Sequence, residues 1–95
     1  MTIEKEVTLV NKYGMHVRPA GALAKLCQKY ASDITFENAG NKVSGKSVLG
    51  LMTLEAPVGT VLKVVAEGDD ADLAVSEIEE LVKNHVGIAD EENPR

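Results

Sequence analysis

Apolar and polar side chains alternate at the start of the chain: Val7 and Leu9 fall on one side, Glu6 and Thr8 on the other. That two-residue period marks a strand buried on one face. Ile34 and Phe36 repeat it. So do Leu62, Val64 and Ala66 after Gly59, with Lys63 directed to solvent and Gly68 closing the run. Lys42 to Ser44, after a Gly40-Asn41 turn, is read as the hairpin partner of the Ile34 strand.

Elsewhere the spacing changes to three and four. Ala20, Leu23, Ala24, Cys27 and Ala31 share one helical face, and a second long helix carries Ala74, Ile78, Leu81 and Val82. The Asp69-Asp70 carboxylates suit the start of that helix and Gly87 its end. A short apolar run, Val48-Leu49-Gly50-Leu51-Met52, forms a third helix behind Ser47. One-sided strands need one cover, so the fold expected is α+β: a four-stranded antiparallel sheet with three helices on one face, an open-faced sandwich. Residues 1–87 make one domain, and residues 88–95 an acidic tail.

A chain of 95 residues leaves no room for a cleft between two lobes, so function belongs on a surface. The 15 acidic against 10 basic residues argue against nucleic acid as a partner, which would call for a basic face. No apolar run reaches the length of about 20 residues that spans a bilayer, and the acidic start MTIEKEVTLV is unlike a signal peptide, so a cytoplasmic protein is expected. Cys27 stands alone, which excludes an internal disulfide and a structural zinc site; on the apolar face of its helix it reads as a small core residue.

The chemistry concentrates in Gly14-Met15-His16-Val17-Arg18-Pro19-Ala20. Gly14 allows a tight exit from the first strand, and Pro19 is tolerated only in a first helical turn, which dates the helix start to about Val17. His16 then sits at the helix N-terminus. Unpaired backbone N–H groups there, those of Val17 and Arg18, make an anion site together with the positive end of the helix dipole. The Arg18 guanidinium can bond two oxygens of one phosphoryl group. A lone histidine at a helix start is nevertheless more often a cap or a surface residue than a nucleophile, and spacing leaves these readings open.

That segment, together with Lys46-Ser47-Val48-Leu49-Gly50-Leu51-Met52 and Gly68-Asp69-Asp70, resembles the HPr family. These are the histidine-containing phosphocarriers of the bacterial phosphoenolpyruvate-dependent sugar phosphotransferase system. The resemblance runs from the first strand to about Val86. Val17 departs from it, replacing the small residue usual after the histidine, and so does the longer acidic extension after Gly87. It implies a monomeric carrier without cofactor or metal, not an enzyme with its own small-molecule turnover. Its Nδ1 atom on His16 would take a phosphoryl group from enzyme I and pass it to enzyme IIA domains, with Arg18 steadying the group. Ser47 would match a serine modified by HPr kinase/phosphorylase. Pro19, Val48, Leu49 and Met52 would form the docking surface, with Ser47 close in space to His16.

From the residues alone, Ser47 is equally a helix cap, and Leu49 and Met52 equally complete the core. Three other functions compete. A nitrogen-branch phosphocarrier or regulatory paralogue would share the histidine chemistry with different protein partners. A histidine phosphatase would need an Arg-His-Gly motif and a second histidine in a cleft, where this chain has Met15-His16-Val17. A purely regulatory binding module would not need His16.

Overall fold

A computed structural model describes residues 1–84 and 86. In chain order the elements are β1 (Thr2–Thr8), α1 (Val17–Cys27), β2 (Asp33–Asn38), β3 (Asn41–Ser44), α2 (Val48–Met52), β4 (Val61–Glu67) and α3 (Ala71–Lys83). The strands form one sheet in the order β1-β4-β2-β3, and every neighbouring pair is antiparallel. This is the open-faced sandwich expected from the one-sided strands.

Register explains which face is covered. Val7 lies opposite Leu62, Phe36 opposite Val64, and Ile34 opposite Ala66. All six are buried, and they meet Ala20, Leu23, Ala24 and Cys27 of α1, Leu51 of α2, and Ala71, Ala74, Val75, Ile78 and Val82 of α3. On the other face Lys63 lies between Glu4 and Glu37 at 3.8 Å from each carboxylate. These solvated ion pairs contribute little to stability. Gly45 is what lets α1 close down on β2: a Cβ there would stand 2.9 Å from Phe36 Cε1, 3.0 Å from Ile34 Cγ2 and 3.1 Å from Cys27 Sγ.

Several boundaries differ from the sequence reading. The hairpin turns at Ala39 and Gly40, not Gly40-Asn41. Both have positive φ (52° and 86°), as the turn that matches the twist of two paired strands requires, and Asn41 already pairs with Asn38 in β3. α1 ends at Cys27, so Ala31 continues the apolar spacing without belonging to the helix and is exposed. α3 ends at Lys83 with Asn84 as its C-cap. Gly87 and the 87/88 domain boundary lie outside the described residues.

Asp70 is the N-cap of α3, yet its carboxylate does not cap the helix. It accepts hydrogen bonds from the N–H groups of Ala31 (2.9 Å) and Ser32 (3.0 Å) and from the Ser32 hydroxyl. Those bonds, the Ser32 hydroxyl first and the Ala31 N–H next, hold its carboxyl below the usual range. Tyr30 donates its hydroxyl hydrogen to Glu77 of α3. The α1–β2 loop is therefore clasped to α3 at two points.

Candidate functional site: the His16 loop and helix α2

Past Thr8 the chain stays bonded to the residues that lead into β4: the Leu9 N–H donates to Thr60 O (2.9 Å), and the Gly59 N–H to Leu9 O (2.7 Å). A turn follows, closed twice. The Gly14 N–H donates to Asn11 O at 3.1 Å, and Asn11 Nδ2 donates to Gly14 O at 2.6 Å. Asn11 is wholly buried, so Lys12 and Tyr13 stand at the corners of a turn anchored in the core. Gly14 has φ +69°, and a Cβ on it would lie 2.3 Å from Ala56 O and 2.8 Å from Pro57 Cα. Only glycine fits there. The Met15 N–H then donates to Ala56 O at 2.7 Å, which fixes the chain just before His16.

His16 is the N-cap of α1, with extended backbone and no capping bond from its side chain. The capping alternative therefore falls. Its carbonyl accepts the first intrahelical bond, from the Ala20 N–H at 2.9 Å. Pro19 has no N–H, so the first turn presents the N–H groups of Val17 and Arg18 at the positive end of the helix. No acidic side chain occupies that turn to neutralise it. The imidazole is half-buried, and its Nε2 is shut off from solvent with no hydrogen-bond partner among the described residues. The Tyr13 ring meets it edge-on, centroids 6.5 Å apart at an interplanar angle of 75°, while Lys12 Nζ lies 5.3 Å from the Tyr13 ring centre.

Ser47 is the N-cap of α2, its Oγ accepting the Gly50 N–H at 2.9 Å. Leu51 is buried beneath this helix, Leu49 is 77% exposed and Met52 37%. The sequence left core and surface open for Leu49 and Met52, and burial decides for surface. Val48 is half-buried and packs against the core. Two expectations need correction. Pro19 is buried below 2%, because its ring fits both the first helical turn and the apolar space beneath it, so it offers no docking surface. Nor is Ser47 beside His16: Gln28 Nε2 donates to Lys46 O (2.9 Å) and Lys46 Nζ to Tyr30 O (2.7 Å), tying the start of α2 to the end of α1 opposite His16. Met52 is the nearer of the two along the chain to Ala56, whose carbonyl holds Met15.

Asn11, Lys12 and Tyr13 escaped the sequence reading. The available signal was Asn-Lys-Tyr-Gly, with asparagine first and glycine last as in a common four-residue turn. Cys27 is free and buried, and burial pushes its thiol up to about 12 against a smaller opposing pull from Lys46. It stays a protonated core residue. Among the described residues no group of histidine, cysteine and carboxylate side chains is arranged to hold a metal, and no helix is long and apolar enough to cross a membrane.

The family model for the phosphorylation site of the phosphotransferase-system HPr component matches residues 3–84. The chain belongs to the HPr family. HPr proteins are phosphocarriers of the phosphotransferase system, and the likeness extends along nearly the whole molecule. The chain is 43% identical over 82 residues to the phosphocarrier protein HPr of Borreliella burgdorferi, covering 86% of this chain and 95% of that one. It is 40% identical over 80 residues to the phosphocarrier protein NPr of Shewanella violacea, covering 84% and 88%. The crystal structure of HPr-C-His from Thermoanaerobacter tengcongensis superposes with a TM-score of 0.87 at 34% identity, covering 92% of this chain and 98% of that one.

Proposed function

We propose that His16 of this HPr-family chain carries the phosphoryl group, accepting it from enzyme I charged by phosphoenolpyruvate and delivering it to enzyme IIA domains in the cytoplasm. One observation carries the reading: an imidazole at the N-terminus of α1 whose side chain leaves the helix uncapped and whose Nε2 is closed to solvent. A donor arriving from outside has to meet Nδ1. The Nδ1–phosphorus bond forms as the bond between phosphorus and the donor breaks, and Nε2 keeps its proton throughout. Charge in such a transfer spreads over the equatorial phosphoryl oxygens, so positioning and charge stabilisation are most of what the protein supplies. The N–H groups of Val17 and Arg18 and the Arg18 guanidinium supply both, at the positive end of α1.

Partners dock on the apolar surface of Leu49 and Met52, with the half-buried Val48 at its base and Val17, 57% exposed, at the start of α1. A flexible thioether suits a surface that meets several partners in turn. Ser47 is the residue for regulation by HPr kinase/phosphorylase. The 40% identity to NPr supports a second reading, in which donor and acceptors belong to a nitrogen branch. Phosphorylation rates with enzyme I of each branch, measured side by side, separate the two.

The test of the common reading is phosphorylation by enzyme I and phosphoenolpyruvate. An acid-labile, base-stable phosphate is expected on the wild type and none on His16→Ala. Label persisting in that variant would exclude His16.

A further inference from the structure

An imidazole that reacts through one nitrogen is ordinarily oriented by a hydrogen bond on the other. Here Nε2 has no such partner among the described residues, and the ring makes no bond to the helix it begins. Orientation has to come from packing. The aromatic neighbour of the ring among the described residues is Tyr13, which meets it in the edge geometry that the charge distribution of two aromatic rings favours. Tyr13 is itself held. It occupies a corner of the turn closed by the two Asn11–Gly14 hydrogen bonds, over a fully buried Asn11, and Lys12 lies against its face.

We infer that Tyr13 is a positioning residue for phosphoryl transfer, fixing the His16 imidazole in the orientation a protein donor requires. The inference rests on the phosphocarrier reading of His16. Its ring does the work, because the hydroxyl has no part in an edge contact between two aromatic systems. A protein donor presents phosphorus along one line set by its docking, so an imidazole spread over several rotamers meets that line less often. Maximal rate falls while docking is unchanged. A small donor such as phosphoramidate follows the ring into any rotamer. There the Nδ1–phosphorus bond forms as the phosphorus–nitrogen bond of the donor breaks, and ammonia leaves.

The test compares wild type, Tyr13→Leu and Tyr13→Phe, reading the phosphorylation rate with enzyme I and phosphoenolpyruvate against carrier concentration. Phosphoramidate and the His16 ring signals in 1H–15N NMR are read in parallel. Tyr13→Leu is expected to lower the maximal rate about three- to tenfold at unchanged half-saturating concentration. Tyr13→Phe should restore it. With phosphoramidate all three proteins should agree within about twofold. The His16 ring shifts should move in Tyr13→Leu and stay in Tyr13→Phe. A wild-type maximal rate in Tyr13→Leu overturns the inference, as does a change confined to half-saturation, which makes Tyr13 a docking contact only. An equal loss with phosphoramidate also overturns it, since the defect then lies in reactivity or folding. If wild type takes no label from enzyme I, the phosphocarrier reading fails first. The ring shifts then decide alone, unmoved shifts in Tyr13→Leu removing Tyr13 from any hold on His16.

Discussion

Arg18 stands two residues beyond His16, in the first turn of α1, with its side chain exposed. It does not support the core, so its removal is expected to leave the fold intact and act on transfer. A hydrogen bond to a charged group is of a size that makes Arg18→Ala about ten- to a hundredfold slower as a phosphoryl acceptor. Arg18→Lys should recover only part of the loss, because an ammonium lacks the planar fork that bonds two oxygens together. Thermal unfolding alongside the phosphorylation rate checks both halves, and an unchanged rate in Arg18→Ala removes the guanidinium from the site. Pro19, the next residue, shows what single residues reveal in sequence. Its fixed φ and missing N–H made the helix start legible, and α1 begins at Val17 as expected. Its burial was not legible, since nothing in backbone preference says what the other side of a ring will touch. Asn11 was hidden for the converse reason: its burial depends on the Gly14 carbonyl coming back to accept from its Nδ2, a contact that no local pattern shows.

α2 spans five residues, too short to hold together on its own helical propensity. Its Ser47 cap, the buried Leu51 and the side-chain amides of Asn38 and Asn41, which donate to Leu54 O (3.2 Å) and Thr53 O (3.3 Å), hold it in place. A serine before an apolar run made the cap readable, while the distance from Ser47 to His16 depended on a tertiary contact through Gln28 that no local pattern encodes. That placement changes how a charge at Ser47 should work. It sits at the end of α1 away from His16, so it acts on docking over Leu49 and not on the phosphoryl group. Ser47→Asp keeps an oxygen able to cap the Gly50 N–H and adds a negative charge where the helix end tolerates one. The thermal midpoint should change little. The half-saturating carrier concentration for phosphorylation by enzyme I should rise, because the added charge must be desolvated or repelled when a partner covers the patch. A variant with wild-type rate and half-saturation would leave Ser47 as a cap and nothing more.

At the scale of the whole molecule, the alternation in β1, β2 and β4 was enough to foresee one covered face, and with it the sheet and its three helices. Periodicity carried less far where tertiary contacts took over. Ala31 kept the helical spacing beyond the end of α1, and Asp70, expected to serve its own helix, turned to the Ala31 and Ser32 N–H groups of another loop. That clasp and its neighbour, Tyr30 to Glu77, join the α1–β2 loop to α3, and both are built on titratable groups, so stability should follow pH at both ends. Asp70 is lowered from its ordinary 3.8, the Ser32 hydroxyl contributing most. Glu77 is lowered from 4.5, the Tyr30 hydroxyl first and the Lys29 charge, 3.6 Å away, lesser. A depressed carboxyl contributes stability above its unfolded value and loses it as pH falls toward the folded one, because the unfolded chain takes up the proton first. Stability should therefore fall as pH drops through 4.5 and 3.8. Tyr30 works in the opposite sense. Its bond to Glu77 raises the phenol from 10.0 to about 12, so its contribution is complete below pH 10.0 and declines above it as the unfolded phenol ionises. Urea midpoints measured across the pH range are expected to show both limbs. Asp70→Asn should flatten the acid limb alone, whereas Tyr30→Phe should remove the alkaline contribution and, by freeing Glu77 of its donor, part of the acid one. If Tyr30→Phe leaves both limbs unchanged, the bond to Glu77 does not hold α3 against the α1–β2 loop.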